Sequence, residues 1–569
     1  MTPPDSQTAT SESLGQAMPD RPPTIFARWF RPRSASPFDR LVLFSWRSEL
    51  LLICAGMLVS FLVAGFWFPY WRVADMDFFV VYNAFLLNTP LPQEFFDHPG
   101  YISILLLSYW LRALHALGFV QVHAFSAVPA LSDAAGFAGA WTQATRAGRV
   151  LSLIYAMGYV LAFSYLLRAL VRDWRIAALG GFMLAFSGGM AMQMRILRTE
   201  LLSAGLFIIA LLMLMVVATR GPRAWRPPVV GLASLLMTLA LLNKVQVLFL
   251  IGALPVLLIF VGPDLDGANS APPRGFWNAP SRAWTAFGAS VVIAVLAAYA
   301  AKDIVLAGLT TATAPGLYFT ARLQAAQIYW ALLAAWLGLG MMAYAVMWRV
   351  PPLEALTTAF AAVAGCMIGV LALDARYNGA VVVAVFHPLE NMAAFAGWAN
   401  PQLMSGSPLD AAHLKFLAQA AAGVLARVTF VLHPSTRPAI FVQWFVIAAT
   451  AIAIRERKWR LVLPVAALIL SAAAIDTLGM GRGLKQEYFN FTDPLIIIAA
   501  ALLIANLAPL RNHRWTYTAG VALIAVHAVM SQIEPVKRLL RNDRPEVICD
   551  FYVYAARVEK FPTCPKPAQ

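Results

Sequence analysis

Charged residues are only 12% of the 569 in this chain, so the places where they gather against apolar runs stand out. Asp75 and Asp77 lie in Ala74-Asp75-Met76-Asp77-Phe78-Phe79, directly after the first long apolar run. A carboxylate at a water–lipid boundary, beside aromatic rings, is placed to take a proton from a hydroxyl as a general base. Two residues apart on a helix, the two acids face opposite ways, so one of them is expected to enter a site. Asp97-His98-Pro99-Gly100 follows, with a proline suited to the first turn of a helix. Arg195-Ile-Leu-Arg198-Thr-Glu200 and Asn243-Lys244-Val-Gln246 interrupt apolar runs, where charge is costly unless hydrated or paired. Arg376 and His387 come later, and Gly481-Arg482-Gly483-Leu-Lys485-Gln-Glu487-Tyr488 later still.

Each cluster has an ordinary explanation. Asp75 and Asp77 suit a solvated loop, Asp97-His98 a polar helix cap, Arg198 and Glu200 an ion pair at a helix end. Lys244 suits a snorkelling side chain, and the late glycines and cations a solvated turn. No strand precedes those glycines, so they make no dinucleotide fingerprint. Asn490-Phe-Thr492 matches a glycosylation sequon but lies against an apolar run, and is taken as chance. What the clusters share is a side: acids and bases from distant segments are assigned to one face of a membrane.

That assignment rests on the elements. Hydrophobic residues make up 60% of the chain, against roughly 25% charged residues in ordinary soluble domains and 12% here. The solvent for most of the chain is therefore lipid. The net charge of +15 is spread between apolar runs as membrane topology requires, rather than clustered as a nucleic-acid binder would need. The four cysteines have no C-x-x-C spacing, which argues against a structural zinc site. Residues 1–40 are rich in Pro, Ser and Arg and read as a disordered tail. Apolar runs long enough for spans lie near 49–69, 148–167, 176–193, 201–219, 228–243, 245–261, 284–301, 326–347, 353–373, 438–454, 461–478, 493–509 and 516–532, about thirteen in all. Residues 101–120 place Ser108, Arg112 and His115 on one helical face, which suits a helix on the membrane surface; a span with a polar stripe is the alternative.

If 101–120 does not cross, the turns holding Arg168/Arg172/Arg175, Arg220/Arg223/Arg226, Arg349, Arg455/Arg457/Lys458/Arg460 and Arg511/Arg514 all become cytoplasmic, as the positive-inside rule asks. The expected protein is thus all-α and polytopic, with the N-terminus cytoplasmic and the C-terminus periplasmic. A transmembrane domain over 41–532 carries long outer loops at 70–147 and 374–437, with surface helices, and a periplasmic tail follows over 533–569. The outer face receives Asp75, Asp77, Asp97, His98, Arg195, Arg198, Glu200, Lys244, Arg376, His387, Lys485 and Tyr488. Cys549 and Cys564 then lie in an oxidising compartment and are expected to form a disulfide.

The order of these pieces resembles the GT-C superfamily of membrane glycosyltransferases, most closely the protein mannosyltransferase and lipid A aminoarabinose transferase branch. Asp75 with Phe78 and Phe79 is similar to that branch's acidic-aromatic motif after the first span, though Asp77 replaces an immediately adjacent acid. His98-Pro99-Gly100 resembles the element that opens a surface helix there. Arg149-Val-Leu151 resembles the start of its second span, Arg198-Thr-Glu200 its Arg-x-Glu element, and Lys244 its next outer lysine. Lys485, Tyr488 and Pro494 resemble a late basic-Tyr…Pro element, with Glu487 where an arginine often stands. The resemblance covers 48–260 and 480–500 and leaves 262–437 unmatched.

The resemblance implies transfer of a sugar from a polyprenyl-phosphate donor to a glycolipid, polysaccharide or protein acceptor at the periplasmic face of a bacterial inner membrane. It implies an inverting single displacement with Asp75 as base, Asp77 and Glu200 as further catalytic candidates, and no obligatory metal, a divalent ion not being excluded. His98, Arg195, Arg198, Lys244, Arg376, His387, Lys485 and Tyr488 are the expected substrate-binding residues. Two other classes compete: a transporter or flippase of lipid-linked substrates, which calls for charges at mid-membrane and repeated halves, and a polysaccharide polymerase or ligase, which takes an oligosaccharide on lipid.

Overall fold

The computed structural model describes residues 46–94, 100–219, 225–260, 281–310, 335–340, 350–377, 439–479, 488–511 and 514–540, with isolated helical residues between 381 and 422. Among the described residues the fold is all-α, without strands, and it is a polytopic membrane protein. Nine helices there are long and apolar enough to cross a membrane, and four shorter apolar helices accompany them. The expected runs fall on helix except for 326–347, most of which lies outside the described residues, as do the tails 1–40 and 541–569, most of 374–437, and Cys549 and Cys564.

The chain starts with α1 (Trp46–Val63). A 3₁₀ turn (Tyr70–Val73) and a five-residue π-helix (Ala74–Phe78) lead into α2 (Phe79–Asn88). Then come α3 (Tyr101–Ala116) and α4 (Ala134–Val171). A broken pair follows, α5 (Trp174–Ala185) and α6 (Gly188–Gln193), then α7 (Thr199–Thr219) and α8 (Arg226–Asn243). The longer helices that follow are α9 (Val247–Phe260), α10 (Ser281–Thr310), α11 (Pro352–Tyr377), α12 (Ala439–Arg455), α13 (Trp459–Gly479), α14 (Phe489–Asn506), α15 (Arg514–Ser531) and α16 (Ile533–Leu540), with a single turn (Ala508–Arg511) between α14 and α15.

Two apolar cores organise these helices. The larger joins α1, α4–α9 and α12–α15. At its centre is α14, buried at every residue from Phe489 to Leu503, including Asn490, Thr492 and Asp493 of its first turns; from Leu495 to Ile504 it is apolar on all sides. The smaller core is a cap over one end of the bundle. Tyr70, Phe78, Phe85 and Phe137 surround Trp141, Phe79 and Tyr82 pack on Phe78, and Leu107 and Leu111 of α3 belong to the same core. Where α8 and α11 cross, Gly231 faces Gly365 with no room for a side chain, and Ser234 Oγ donates to the Ala362 carbonyl at 2.7 Å. Close approach through small residues is how helices gain packing where lipid supplies no hydrophobic drive.

The bounds of two elements differ from the sequence expectations. The run expected to start a span near 148 begins fourteen residues earlier, because α4 opens at Ala134, capped by the Asp133 carboxylate accepting from the Gly136 amide at 2.9 Å. Phe137, Ala140, Trp141, Ala144, Thr145 and Gly148 form its buried stripe, so Arg149 sits inside a continuous helix rather than at its start. The 38-residue α4 is roughly 57 Å long, more than the hydrocarbon thickness, and its first third belongs to the cap. The run 176–193 is not one helix: Ser187 leaves helical geometry and caps a new helix through the Met190 amide, with two glycines following it.

Candidate active site

The capped end of the bundle is built around Asp77, the last but one residue of the π-helix. Such helices are short and unusual, and favour functional positions. Asp77 is fully buried. Its Oδ2 accepts from Arg149 Nη2 at 2.5 Å and Nε at 3.0 Å, and its Oδ1 accepts from the Leu197 amide at 2.6 Å. Arg149 also donates to the Phe68 carbonyl, to the Pro69 carbonyl at 3.2 Å and to the Gly65 carbonyl at 3.4 Å. One arginine from α4 therefore holds the exit of α1 and the π-helix together. An arginine inside an apolar helix needs such partners, and that was the sequence signal for it.

A second buried ion pair lies at the facing ends of α7 and α8. Lys244 Nζ stands 2.7 Å from Glu200 Oε1, and both side chains are about 1% exposed. Glu200 is thus bound to a lysine 44 positions away, and Lys244 neither snorkels nor lies open to solvent. Beside it Asn243 is a hub that sequence reading passed over. Its Nδ2 donates to Thr199 O at 2.8 Å, Ser103 Oγ at 2.9 Å and Ser203 Oγ at 3.0 Å, and its Oδ1 accepts from the Ser103 amide at 3.1 Å. The Asn243 carbonyl accepts from the Gly100 amide at 3.1 Å. Asn243 thereby pins the start of α3 onto α7 and α8. Gly100, with φ of +59°, makes the left-handed turn that aims α3 across the bundle end.

The other expected residues are placed as follows. Arg195 is 3% exposed and bonds to Ser60 and Gln532. Arg198 is half-buried between Leu197 and Thr199, and Tyr488 is buried at the start of α14. Arg376, near the end of α11, donates to the Leu87 carbonyl of α2, and Tyr377 donates to the Tyr101 carbonyl at 2.8 Å. The Asp75 backbone lies in the π-helix. His98, Asp97, His387 and Lys485 lie outside the described residues. Among the described residues no group of three or more His, Cys, Asp or Glu is arranged to hold a metal ion.

Six stretches of described residues, 60–77, 100–103, 149, 195–200, 243–244 and 376–377, therefore meet at one end of the bundle, with Leu87 of α2 beside them. The expected surface face of α3 is different in detail. Ser108 is buried, its hydroxyl on the Leu105 carbonyl, while His115 and the following turn are exposed. The hydrophobic side of α3 wins the interior, and Ser108 follows it because a hydroxyl can be satisfied by its own helix.

Neither a protein-family model nor a curated relative matches this sequence. Among solved structures, the fold aligns with the Archaeoglobus fulgidus oligosaccharyltransferase in its apo form, at TM-score 0.43 and 12% identity, over 93% of this chain and 62% of that one. The complex of the same archaeal enzyme with an inhibitory peptide and a dolichol-phosphate aligns at TM-score 0.42 and 12% identity, over 94% and 62%. Its complex with Zn and sulfate aligns at TM-score 0.39 and 14% identity, over 86% and 53%. This chain spans less than two thirds of those chains, and likeness at this level assigns neither family nor activity.

Proposed function

We propose that this protein is a GT-C-type membrane glycosyltransferase that moves a sugar from a polyprenyl-phosphate donor to an envelope acceptor. One observation supports the reading: charged residues from five segments distant in sequence (Asp77, Arg149, Arg195 with Arg198 and Glu200, Lys244, and Arg376) come together under a packed cap at one end of an apolar helix bundle. A lipid-linked donor asks for that arrangement, because its phosphate sits at headgroup level while its tail stays in lipid. Holding the headgroup at the bundle end lowers the entropic cost of encounter.

Asp75 is the proposed base. Both oxygens of Asp77 are already taken by Arg149 and the Leu197 amide, and Glu200 is paired with Lys244, so these two acids hold the site's shape. In the proposed step the acceptor hydroxyl loses its proton to Asp75 as its oxygen bonds the anomeric carbon. The bond from that carbon to the donor phosphate oxygen breaks, the lipid phosphate leaves, and the anomeric configuration inverts. Cations stabilise the charge on the departing phosphate. Lys244 is held by Glu200, and that part is assigned to Arg376, which also donates to the Leu87 carbonyl, and to Lys485. The proposed setting is a bacterial inner membrane with the site on its periplasmic side.

Asp75→Asn tests the assignment. It preserves shape and hydrogen bonding but removes the proton acceptor. Turnover of a polyprenyl-phosphate sugar by the purified protein in nanodiscs should fall at least about a hundredfold, with folding unchanged. Near-normal turnover in this variant would remove Asp75 as base. If the parent transfers sugar from no polyprenyl-phosphate donor, the function itself is wrong.

A further inference from the structure

Arg195 lies two residues before Leu197, the residue whose amide holds Asp77. Its guanidinium is buried in a node made by three distant segments. Nη1 donates to the Ala191 carbonyl, and Nη2 donates to the Ser60 hydroxyl, to the Ser60 carbonyl at 3.0 Å and to Gln532 Oε1 at 2.8 Å. Ser60 Oγ in turn donates to Gln532 Oε1 at 2.5 Å, and Gln532 Nε2 donates to Ser531 Oγ at 3.0 Å. Gln532 is the joint between α15, the last long apolar helix, and α16.

Gly65 shows how closely this node adjoins the Asp77 pair. A Cβ on Gly65 would stand 2.8 Å from Arg195 Cγ, while the Gly65 carbonyl accepts from Arg149. The same glycine is thus packed against one arginine and hydrogen-bonded to the other. A continuous path runs from Gln532 through Ser60 and Arg195 to the 194–198 turn, then through the Leu197 amide to Asp77 and the π-helix that carries Asp75.

We propose that Gln532 is a positioning residue for the site: by holding Arg195 against Ser60 it fixes the 194–198 turn, and so sets the Leu197 amide that orients Asp77. A side chain near the end of the last long helix then governs an element more than 330 positions earlier, Gln532 and Arg195 being 337 residues apart. The catalytic consequence rests on the glycosyltransferase reading; the mechanical one does not.

The test uses the full chain in lipid nanodiscs and two variants. Gln532→Met keeps volume and removes the acceptor, while Gln532→Glu keeps an acceptor oxygen for Arg195. Hydrogen–deuterium exchange of the segment 194–198 should rise about tenfold in Gln532→Met, with the interior of α7 unchanged, and return within about twofold of the parent in Gln532→Glu. In the transfer assay Gln532→Met should lower kcat several-fold with little change in donor KM, and Gln532→Glu should restore it. Ser60→Ala, which removes the bridging hydroxyl, should raise exchange in the same segment if Gln532→Met does not fold.

Unchanged exchange at 194–198 in folded Gln532→Met or Ser60→Ala overturns the proposal. So does exchange raised equally over the whole protein, which marks Gln532 as a packing residue. If exchange behaves as expected and the parent moves no sugar, the coupling stands and the glycosyltransferase reading fails.

Discussion

Lys244 and Glu200 show why a residue's type does not reveal its task. Each alone reads as a site group; together, 2.7 Å apart and about 1% exposed, they are a pair that must stay whole. Breaking a buried pair strands a charge, at a cost of about 3–5 kcal/mol, whereas replacing both partners with neutral groups of similar size can be almost neutral. Lys244→Ala should therefore lower the thermal midpoint strongly, and the double change Glu200→Gln with Lys244→Met should recover most of it. A Lys244→Ala protein as stable as the parent, but with weaker donor binding, would return the lysine to the phosphate site. The candidate residues were visible in the sequence because charge in apolar surroundings is conspicuous. Their partners were not, because Asp77 meets Arg149 and Leu197, and Glu200 meets Lys244, across separations that no local spacing encodes.

At the scale of elements, α3 and the strap after it carry the cap. With 16 residues α3 is shorter than the roughly 20 a span needs, and Asn243 clamps its first turn. At its far end the rings of His115 and His123 lie 4.1 Å apart at 30°, and His115 Nδ1 lies 2.9 Å from the Val120 carbonyl. Burial, then the neighbouring His115 and Arg112, push the His123 imidazole below its ordinary value of 6.5. The folded chain therefore binds fewer protons at His123 than the unfolded chain does. The resulting stability is fully present above about pH 6.5 and is lost as the pH falls below it. The thermal midpoint should drop between pH 7.5 and pH 5.5, and His123→Gln should flatten that drop. An identical pH slope in parent and variant would show that His123 has no part in it. The 3.6-residue stripe of α4 was also in the sequence, from Phe137 to Gly148, but Gln143 and Arg146 on the other face interrupt the apolar run that marks a span.

Across the whole molecule, charged contacts lie at both ends of the bundle. Opposite the site, Arg168 lies over the Trp46 ring at 4.9 Å, Arg226 pairs with Glu354 at 3.1 Å, and Lys458 donates to the Asn506 carbonyl at 3.2 Å. These contacts join the start of α1, the end of α4, the starts of α8 and α11, the turn after α12 and the end of α14. The site end joins the opposite termini of α1, α8 and α11. On the positive-inside rule we propose that the end opposite the site faces the cytoplasm and the site the other side. Reporter fusions at about residue 125 and after the last helix should both report the non-cytoplasmic compartment. A cytoplasmic signal at residue 125 would reverse the bundle.

Sequence alone determined the solvent, the helical class and the chemistry available. A 60% apolar chain with 12% charge must satisfy its backbone within helices in lipid, and its rare charges are confined to helix ends or to partners. Tertiary structure decided which charges are spent on holding the protein together. Arg195, Asp77, Glu200 and Lys244 all read as site groups, yet each is bound to atoms of a distant segment, Asp77 to Arg149 among them. The reason is physical: a helix-period pattern specifies which face is buried, while the identity of the neighbour depends on how whole helices pack. Gly65, Asn243 and Gln532 carry no conspicuous charge, and only the packed bundle shows that they sit where the segments of the site join.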